Sequence, residues 1–226
     1  LVTISCYGEK VPGNFYRSTN SLSTLNFGPN VKTIGNNAFE NNYGMTTINF
    51  DAGISDLTIG NYAFHNCDLV RTLSLPKGLK SIGNDAFYNL DSLRTVTFAE
   101  DCQVETFGEY AFEDNYVLES INLEACTQLT EIKRNALENC HLLKAITIPA
   151  SVTTFGGWIF NYTNNIETFT VLCAELPADI YRDRSSLRTV NIGPGVKKLG
   201  NACFYINKTL KQLNISDEVS DLVIGE

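Results

Sequence analysis

The sequence predicts a strand-dominated α/β solenoid, in which similar coils stack along one axis. The first observation is a unit of 21 to 25 residues that recurs along all 226 residues. The second is a period-two run of apolar residues at the start of each unit, which is typical of a short strand with one buried face. The third is an aromatic residue that returns once per unit. Because such units bury a core only by stacking, we expect a single domain over residues 1–226.

Nine complete repeats and part of a tenth fill the chain, and we number them and their coils 1 to 10. They begin at Leu1, Leu22, Met45, Val70, Leu93, Leu118, Leu143, Ile166, Leu187 and Leu210. The chain opens directly on a strand and stops inside a repeat. We therefore expect a fragment of a longer protein, whose uncapped ends favour end-to-end self-association.

Each repeat has two halves. The first reads apolar-x-x-apolar-x-apolar, as in Leu118-Glu-Ser-Ile121-Asn-Leu123, and predicts one short parallel strand per coil. The second reads apolar-x-x-apolar-Gly-x-x-Ala-Phe and is too short for a full helix. It predicts a brief extended segment followed by one short helical or 3₁₀ turn on the opposite wall. The closing aromatic, such as Phe87, is expected to stack on its equivalents as a spine.

Repeats 1 and 8 share a variant of the second half. Val11-Pro12 and Tyr16-Arg17 in repeat 1 match Leu176-Pro177 and Tyr181-Arg182 in repeat 8 at an offset of 165 residues. In both, proline takes the place of the usual glycine. We interpret the shared variant as a sign that a block of seven repeats was duplicated.

The repeat motif resembles that of a known family. Val31-Lys-Thr-Ile34-Gly35-Asn-Asn-Ala38-Phe39 and Leu79-Lys-Ser-Ile82-Gly83-Asn-Asp-Ala86-Phe87 resemble the BspA-like leucine-rich repeats, and the resemblance covers the whole chain. Members are typically bacterial cell-surface proteins implicated in adhesion and co-aggregation. The resemblance therefore implies an extracellular or cell-surface location and an extracellular protein or glycan as ligand. The alternative is a structural spacer or assembly segment of a larger surface protein.

Composition and motifs exclude several other classes. The net charge of −8 and the absence of a long Lys/Arg run argue against nucleic acid as a partner. No stretch approaches the ~18 apolar residues of a transmembrane segment. The sequence has no Gly-x-Ser-x-Gly, His-Glu-x-x-His or Walker motif. We therefore predict a protein that is not an enzyme and has no cofactor and no metal site, with structural or solvent roles for His65 and His141.

The seven cysteines give two expectations. Cys67 and Cys140 occupy the same slot of repeats that are not neighbours, too far apart for a disulfide, so both should be buried free thiols. Cys102 and Cys126 fall at nearly matching positions of adjacent repeats. They can pair, and the sequence leaves this pairing open.

The strand wall is the first candidate binding face. Outward threonines form a column, and charged residues run beside it. The candidates on this face are Arg71, Thr72, Arg94, Thr95, Glu119, Lys144 and Arg188. Threonine suits a strand and pairs with threonine on the next one, which is one explanation of the column; a flat polar face for a protein or glycan is the other. The locally basic patch at repeats 4 and 5 would steer an acidic partner.

The turn wall is the second candidate face. Here Tyr62, Tyr110 and Trp158 replace the usual Asn or Asp. Exposed Tyr and Trp are frequent interface anchors, but the same residues can also serve to cover neighbouring spine residues. Trp158 is the single tryptophan of the chain and the strongest contact candidate on this wall.

Overall fold

A computed structural model describes residues 1–225 as a stack of coils. Each coil contributes one strand to a strand wall and one strand to a second wall, and we number the strands in chain order. A segment without regular secondary structure follows each strand of the second wall, for example residues 35–42 in coil 2. These segments together form the turn wall.

The strand wall holds the odd-numbered strands. These are β1 Val2–Cys6, β3 Leu22–Phe27, β5 Thr47–Phe50, β7 Thr72–Leu75, β9 Thr95–Phe98, β11 Ser120–Ile121, β13 Ala145–Ile148, β15 Thr168–Val171, β17 Thr189–Ile192 and β19 Gln212–Ile215. They form three parallel sheets, β1-β3-β5, β7-β9-β11 and β13-β15-β17-β19. Thr72 lies opposite Thr95, so the threonine column is in register there.

The second wall holds the even-numbered strands. These are β2 Lys10–Val11, β4 Thr33–Ile34, β6 Leu57–Ile59, β8 Leu79–Ile82, β10 Thr106–Phe107, β12 Glu131–Ile132, β14 Thr154–Phe155, β16 Glu175–Leu176, β18 Lys198–Leu199 and β20 Val223–Ile224. Strands β2 to β14 form one seven-stranded parallel sheet, and β16-β18-β20 form another.

The short strand β11 ends because of a side chain. Asn122 donates through Nδ2 to the Phe98 carbonyl at 3.0 Å and accepts from the Phe98 N–H at 2.7 Å. The amide side chain thus takes the place of a backbone partner for β9. The chain then forms a single 3₁₀ segment, η1, over Leu123–Ala125.

The prediction of a helical or 3₁₀ turn in every repeat is wrong. Within residues 1–225, η1 is the one helical segment, and it lies on the strand wall. In the turn wall each complete coil has two residues four positions apart with positive φ, such as Asp85 at 53° and Asn89 at 52°. This left-handed conformation stops a right-handed helix. The Phe87 N–H instead donates to Ala111 O of the next coil at 2.9 Å, so the protein is a parallel β-solenoid.

The aromatic spine is confirmed over four coils. The rings of Phe39, Phe64, Phe87 and Phe112 are buried and stack face to face, with centroid separations of 5.6, 5.3 and 5.3 Å. Leu137 takes the same slot in coil 6. These side chains form the centre of one core that runs through the stack.

The cysteines lie in this core. Cys67 and Cys140 are buried free thiols, as predicted, and their Sγ atoms donate to the carbonyls of Phe39 and Phe112 at 3.5 and 3.4 Å. Cys102 and Cys126 are also free and buried, and the Cys102 Sγ donates to the Pro76 carbonyl at 3.6 Å.

The second wall is interrupted once within residues 1–225, between β14 of coil 7 and β16 of coil 8. In other coils the residue after the even-numbered strand donates its N–H to the preceding coil, as Gly156 does to Ile132 O at 2.8 Å. A Cβ at Gly156 would lie 2.2 Å from the backbone nitrogen of Arg134, so the close approach of coil 7 to coil 6 at this residue requires glycine. Coil 8 has Pro177 at this slot, with a ring and no N–H, and the ladder breaks there.

The last coil exposes apolar side chains, which include Leu213, Ile215, Val223 and Ile224. Self-association through such a face stays a prediction. No segment of residues 1–225 forms a helix with the length and apolarity that a membrane span requires.

Candidate functional site

The charged candidates of the strand wall form one row with one residue per coil. Backbone bonds between coils hold its first three residues in register: Arg94 N donates to Arg71 O at 2.9 Å, and Glu119 N donates to Arg94 O at 2.8 Å. Lys144 and Arg188 continue the row, with Glu167 between them. The side chains are exposed, except for the half-buried Glu167.

Ion pairs neutralise most of this row. Arg94 pairs with Glu119, and Glu167 forms ion pairs with both Lys144 and Arg188, each with an N–O distance of 3.5 Å. Arg71 makes no ion pair with any residue that the structure describes. The surplus positive charge of the patch at coils 4 and 5 therefore lies at Arg71.

A recess interrupts the strand wall where β11 ends and η1 begins. It has a volume of about 340 Å³ and lies among Thr95, Glu119, Glu124 and Lys144. Three of the strand-wall candidates are thus brought together around one concave surface. Thr72 lies outside it on the exposed side of β7.

The aromatic candidates share a backbone position. Tyr62, Tyr110 and Trp158 each occupy the first of the two left-handed positions that their coil has in the turn wall, with φ of 56°, 59° and 59°. The side chain of Trp158 is 65% exposed, that of Tyr62 is 38% exposed, and Tyr110 is half-buried. Because they lie in alternate coils, they do not contact one another directly.

Arg134 links two of these aromatics, and the sequence interpretation did not include it. Its Cζ atom lies 5.9 Å from the Tyr110 ring centroid and 4.9 Å from that of Trp158. The guanidinium therefore stacks between rings from coils 5 and 7. In the sequence this position is marked by Lys133-Arg134, which replaces the usual Gly-Asn of the motif.

Tyr62 has a different environment. Its hydroxyl lies near the carboxylate of Asp85 in the next coil, which raises the pKa of Tyr62, and its ring lies 5.5 Å from that of His65. Burial raises the pKa of Asp85 to about 6. His65 also stacks on Tyr88 at 4.7 Å, and His141 lies 5.2 Å from Tyr116. Both histidines thus pack against aromatic rings.

A carboxyl cluster lies on the same wall. Burial raises the pKa of Glu113 to about 8, and the nearby carboxylates of Glu138 and Asp114 add to the rise. Within residues 1–225 no group of three or more His, Cys, Asp or Glu side chains is placed to hold a metal ion.

The turn wall opens between coils 7 and 8. In coil 6 the N–H groups of Asn135, Leu137 and Asn139 donate to coil 7 at 3.0–3.1 Å. The equivalent N–H groups of Trp158 and Tyr162 in coil 7 have no carbonyl partner in coil 8. A cleft of about 320 Å³ lies here, lined among others by Trp158, Ile159, Asn161, Pro177, Asp179 and Arg184.

Comparisons with known proteins agree with this architecture. A family model described as "BspA type Leucine rich repeat region" matches in six copies, over residues 2–115, 57–183 and 105–223. A leucine-rich repeat protein from Bacteroides ovatus ATCC 8483 is 16% identical with a TM-score of 0.57, and the likeness covers 100% of this chain and 75% of that one. That likeness shows the stacked-coil fold alone. No protein of curated function matches the chain.

Two further solved structures are similar at lower TM-scores. One is a leucine rich cell surface protein from Faecalibacterium prausnitzii A2-165, with 18% identity and a TM-score of 0.43 over 96% of this chain and 79% of that one. The other is the pneumococcal vaccine antigen PcpA, with 20% identity and a TM-score of 0.47. The likeness to PcpA covers 88% of this chain and 52% of that one.

Proposed function

This chain belongs to the BspA-type leucine-rich repeat family, and we propose that it is a non-catalytic recognition module that binds an extracellular protein or glycan at a cell surface. The observation that carries the proposal is the row of charged side chains on the strand wall. Surface adhesion is the role that the family resemblance implies, and a scaffold of stacked repeats is suited to presenting such a row.

The geometry of the row supports a protein partner. From Arg71 in coil 4 to Arg188 in coil 9 the row crosses five coil boundaries, which at ~4.8 Å each is about 24 Å. A standard interface buries ~800 Å² on each partner, and the row with its threonine column is long enough to lie across one. Backbone bonds between coils hold Arg71, Arg94 and Glu119 in register, and they do the same for Lys144, Glu167 and Arg188, so little backbone ordering is needed on binding within each half of the row.

The charges of the row support an acidic partner at its coil 4 end. Arg71 has no ion-pair partner in the described part of the chain, and it lies beside the exposed pair Arg94–Glu119. On a protein of net charge −8, this end of the row is a local positive site. Such complementarity raises association rates and weakens with added salt.

Label-free binding to immobilised matrix proteins and mucins tests the proposal. The variant is Arg71→Glu/Arg94→Glu, and the control is Lys10→Glu/Lys198→Glu, which makes the same charge change on exposed residues of the second wall. We expect saturable binding that is at least tenfold weaker in the first variant and unchanged in the control. Absence of binding across the panel would contradict the proposal and favour the structural spacer.

A further inference from the structure

We propose that the cleft between coils 7 and 8 binds a neutral saccharide, with the indole of Trp158 as the surface on which a sugar ring stacks. The inference rests on the proposed function and deepens it, because it names a ligand class and a site for it. This site lies on the turn wall, apart from the charged row of the strand wall.

The cleft exists because two hydrogen-bond ladders stop at the same place. Pro177 cannot donate the N–H that closes the second wall in other coils, and β14 and β16 stay unpaired. On the turn wall the N–H groups of Trp158 and Tyr162 and the carbonyl of Ala178 have no backbone partner across the gap. The cleft is therefore bordered by backbone donors on one side and a backbone acceptor on the other.

The inner side of the cleft is closed. On the strand wall β13 and β15 stay paired in register from Ala145–Thr168 to Ile148–Val171. Tyr181 is buried between the two coils, where its hydroxyl donates to Thr163 O at 2.9 Å and accepts from the Ile166 N–H at 3.1 Å. The opening is therefore a wedge. An inserted peptide strand would need about twice the ~4.8 Å strand spacing, which the paired strands prevent.

The chemistry of the lining matches a polyhydroxyl ligand. A sugar hydroxyl both donates and accepts, and the side chains of Asn161, Asp179 and Arg184 add acceptors and donors to the backbone groups. The Nε atom of Arg184 is buried and has no partner among the described residues. A pyranose also has an apolar C–H face, which can lie on the exposed indole of Trp158.

Charge and size favour a small neutral ligand. The lining has one carboxylate and one guanidinium, and Asp179 is already paired with Arg182 at 3.1 Å, so neither sign is in excess. The volume of about 320 Å³ lies at the low end of the ~300–1,000 Å³ range of ligand pockets. The cleft thus fits one or two sugar units, or the end of a longer glycan.

Tryptophan fluorescence gives a direct first test, because Trp158 is the only tryptophan. The probes are glucose, galactose, mannose, fucose, N-acetylglucosamine and N-acetylgalactosamine, with their commercially available di- to tetrasaccharides. We expect at least one probe to change the emission saturably. Calorimetry with the same probe then compares Trp158→Ala with Tyr62→Ala, which truncates an exposed ring in the same slot of coil 3. Ala202 shows that alanine is tolerated at this left-handed position.

The expected result is at least a tenfold loss of affinity in Trp158→Ala and no loss in Tyr62→Ala. An Asp179→Asn variant, nearly isosteric, is expected to weaken binding as well. Equal binding by the parent and Trp158→Ala, binding only of an extended peptide, or no saccharide binding would overturn the inference. If matrix proteins still bind through Arg71 and Arg94 in that case, the proposed function stands and only the saccharide site fails.

Discussion

The guanidinium of Arg134 lies 4.9 Å from the centroid of the Trp158 ring, across the boundary between coils 6 and 7. It contacts one side of an indole that is otherwise exposed, next to the open cleft. Trp158 occupies a left-handed backbone position, which bulky residues rarely adopt. Arg134 therefore holds the ring in place at a position where the backbone itself does not favour it.

Replacing Arg134 by alanine should free the indole. We expect Arg134→Ala to increase quenching of the Trp158 fluorescence by acrylamide, and to lower the free energy of unfolding by the ~0.5–1 kcal/mol of an exposed cation–π contact. Arg134→Lys keeps the charge but loses the planar stacking group. Its quenching and its free energy of unfolding should therefore lie between those of the parent and of Arg134→Ala. Equal quenching in all three proteins would show that Arg134 does not hold the ring.

The aromatic spine should carry a large share of the stability. Phe87 is buried and stacks on Phe64 and Phe112 at 5.3 Å on both sides. Phe87→Ala is expected to lower the free energy of unfolding by about 3–5 kcal/mol, measured by denaturant titration. Phe87→Leu should cost clearly less, because Leu137 fills the equivalent slot of coil 6. An unchanged unfolding midpoint in Phe87→Ala would refute the assignment of this slot.

Stability should fall as the pH rises toward 8. The unfolded chain loses the Glu113 proton near its ordinary pKa of 4.5, whereas the folded chain holds it up to about pH 8. Between these values the folded state binds the extra proton, so the free energy of unfolding decreases with pH. Asp68 and Asp85, each with a pKa raised to about 6 chiefly by burial, act with the same sign over a lower window.

The variant Glu113→Gln should remove most of this dependence. At pH 8 its melting temperature is expected to exceed that of the parent, by about 2–4 °C for each kcal/mol of repulsion relieved, and at pH 4 the two should coincide. Glu100→Gln changes an exposed carboxylate and is the control, and its melting temperature should match that of the parent at each pH. If the melting temperatures of Glu113→Gln and the parent changed with pH in the same way, the pH dependence could not come from Glu113.

Cys102 and Cys126 should form a disulfide when an oxidant is supplied. Cys102 N donates to Ala125 O at 3.0 Å, which sets the two cysteines side by side in adjacent coils. Because adjacent coils stack at the ~4.8 Å spacing of paired strands, we expect their Cα atoms to lie within the range that a disulfide spans.

Diamide is a suitable oxidant, because it takes the two protons and two electrons of the thiol pair and becomes a hydrazine. Peptide mapping should find one Cys102–Cys126 bridge, with Cys67 and Cys140 still reduced. The bridge is expected to stabilise the fold by about 3 kcal/mol. Cys126→Ser is the control and should form no bridge at Cys102. A bridge involving Cys67 or Cys140 would contradict the coil register.

The sequence could predict what recurs once per repeat. The stacking of Phe87 and the register of Thr72 with Thr95 follow from equivalent slots in a solenoid. The left-handed turns at Asp85 and Asn89 were missed, although Asn and Asp four residues apart are the residues that tolerate this conformation. The short Ala-Phe segment of the motif instead predicts a helical turn, which the turn wall does not have in residues 1–225.

The candidate site was predictable only in part. Trp158 stood out because it breaks its column, but its contact with Arg134 depends on side-chain conformations in two coils. The proline variant was visible at Pro177, yet its effect requires knowing that the residue in this slot donates to the preceding coil. The pairing of Arg94 with Glu119, which reduces the basic patch, is likewise a property of neighbouring coils.

Residue-resolved amide hydrogen exchange tests the open boundary between coils 7 and 8 most directly. Trp158 and Tyr162 occupy the slots of Asn135 and Asn139, whose N–H groups donate to the next coil at 3.1 and 3.0 Å. We predict that the amides of Trp158 and Tyr162 exchange at least tenfold faster than those of Asn135 and Asn139. Equal protection at both pairs of positions would mean that coil 8 closes on coil 7, and that no cleft is present for a ligand.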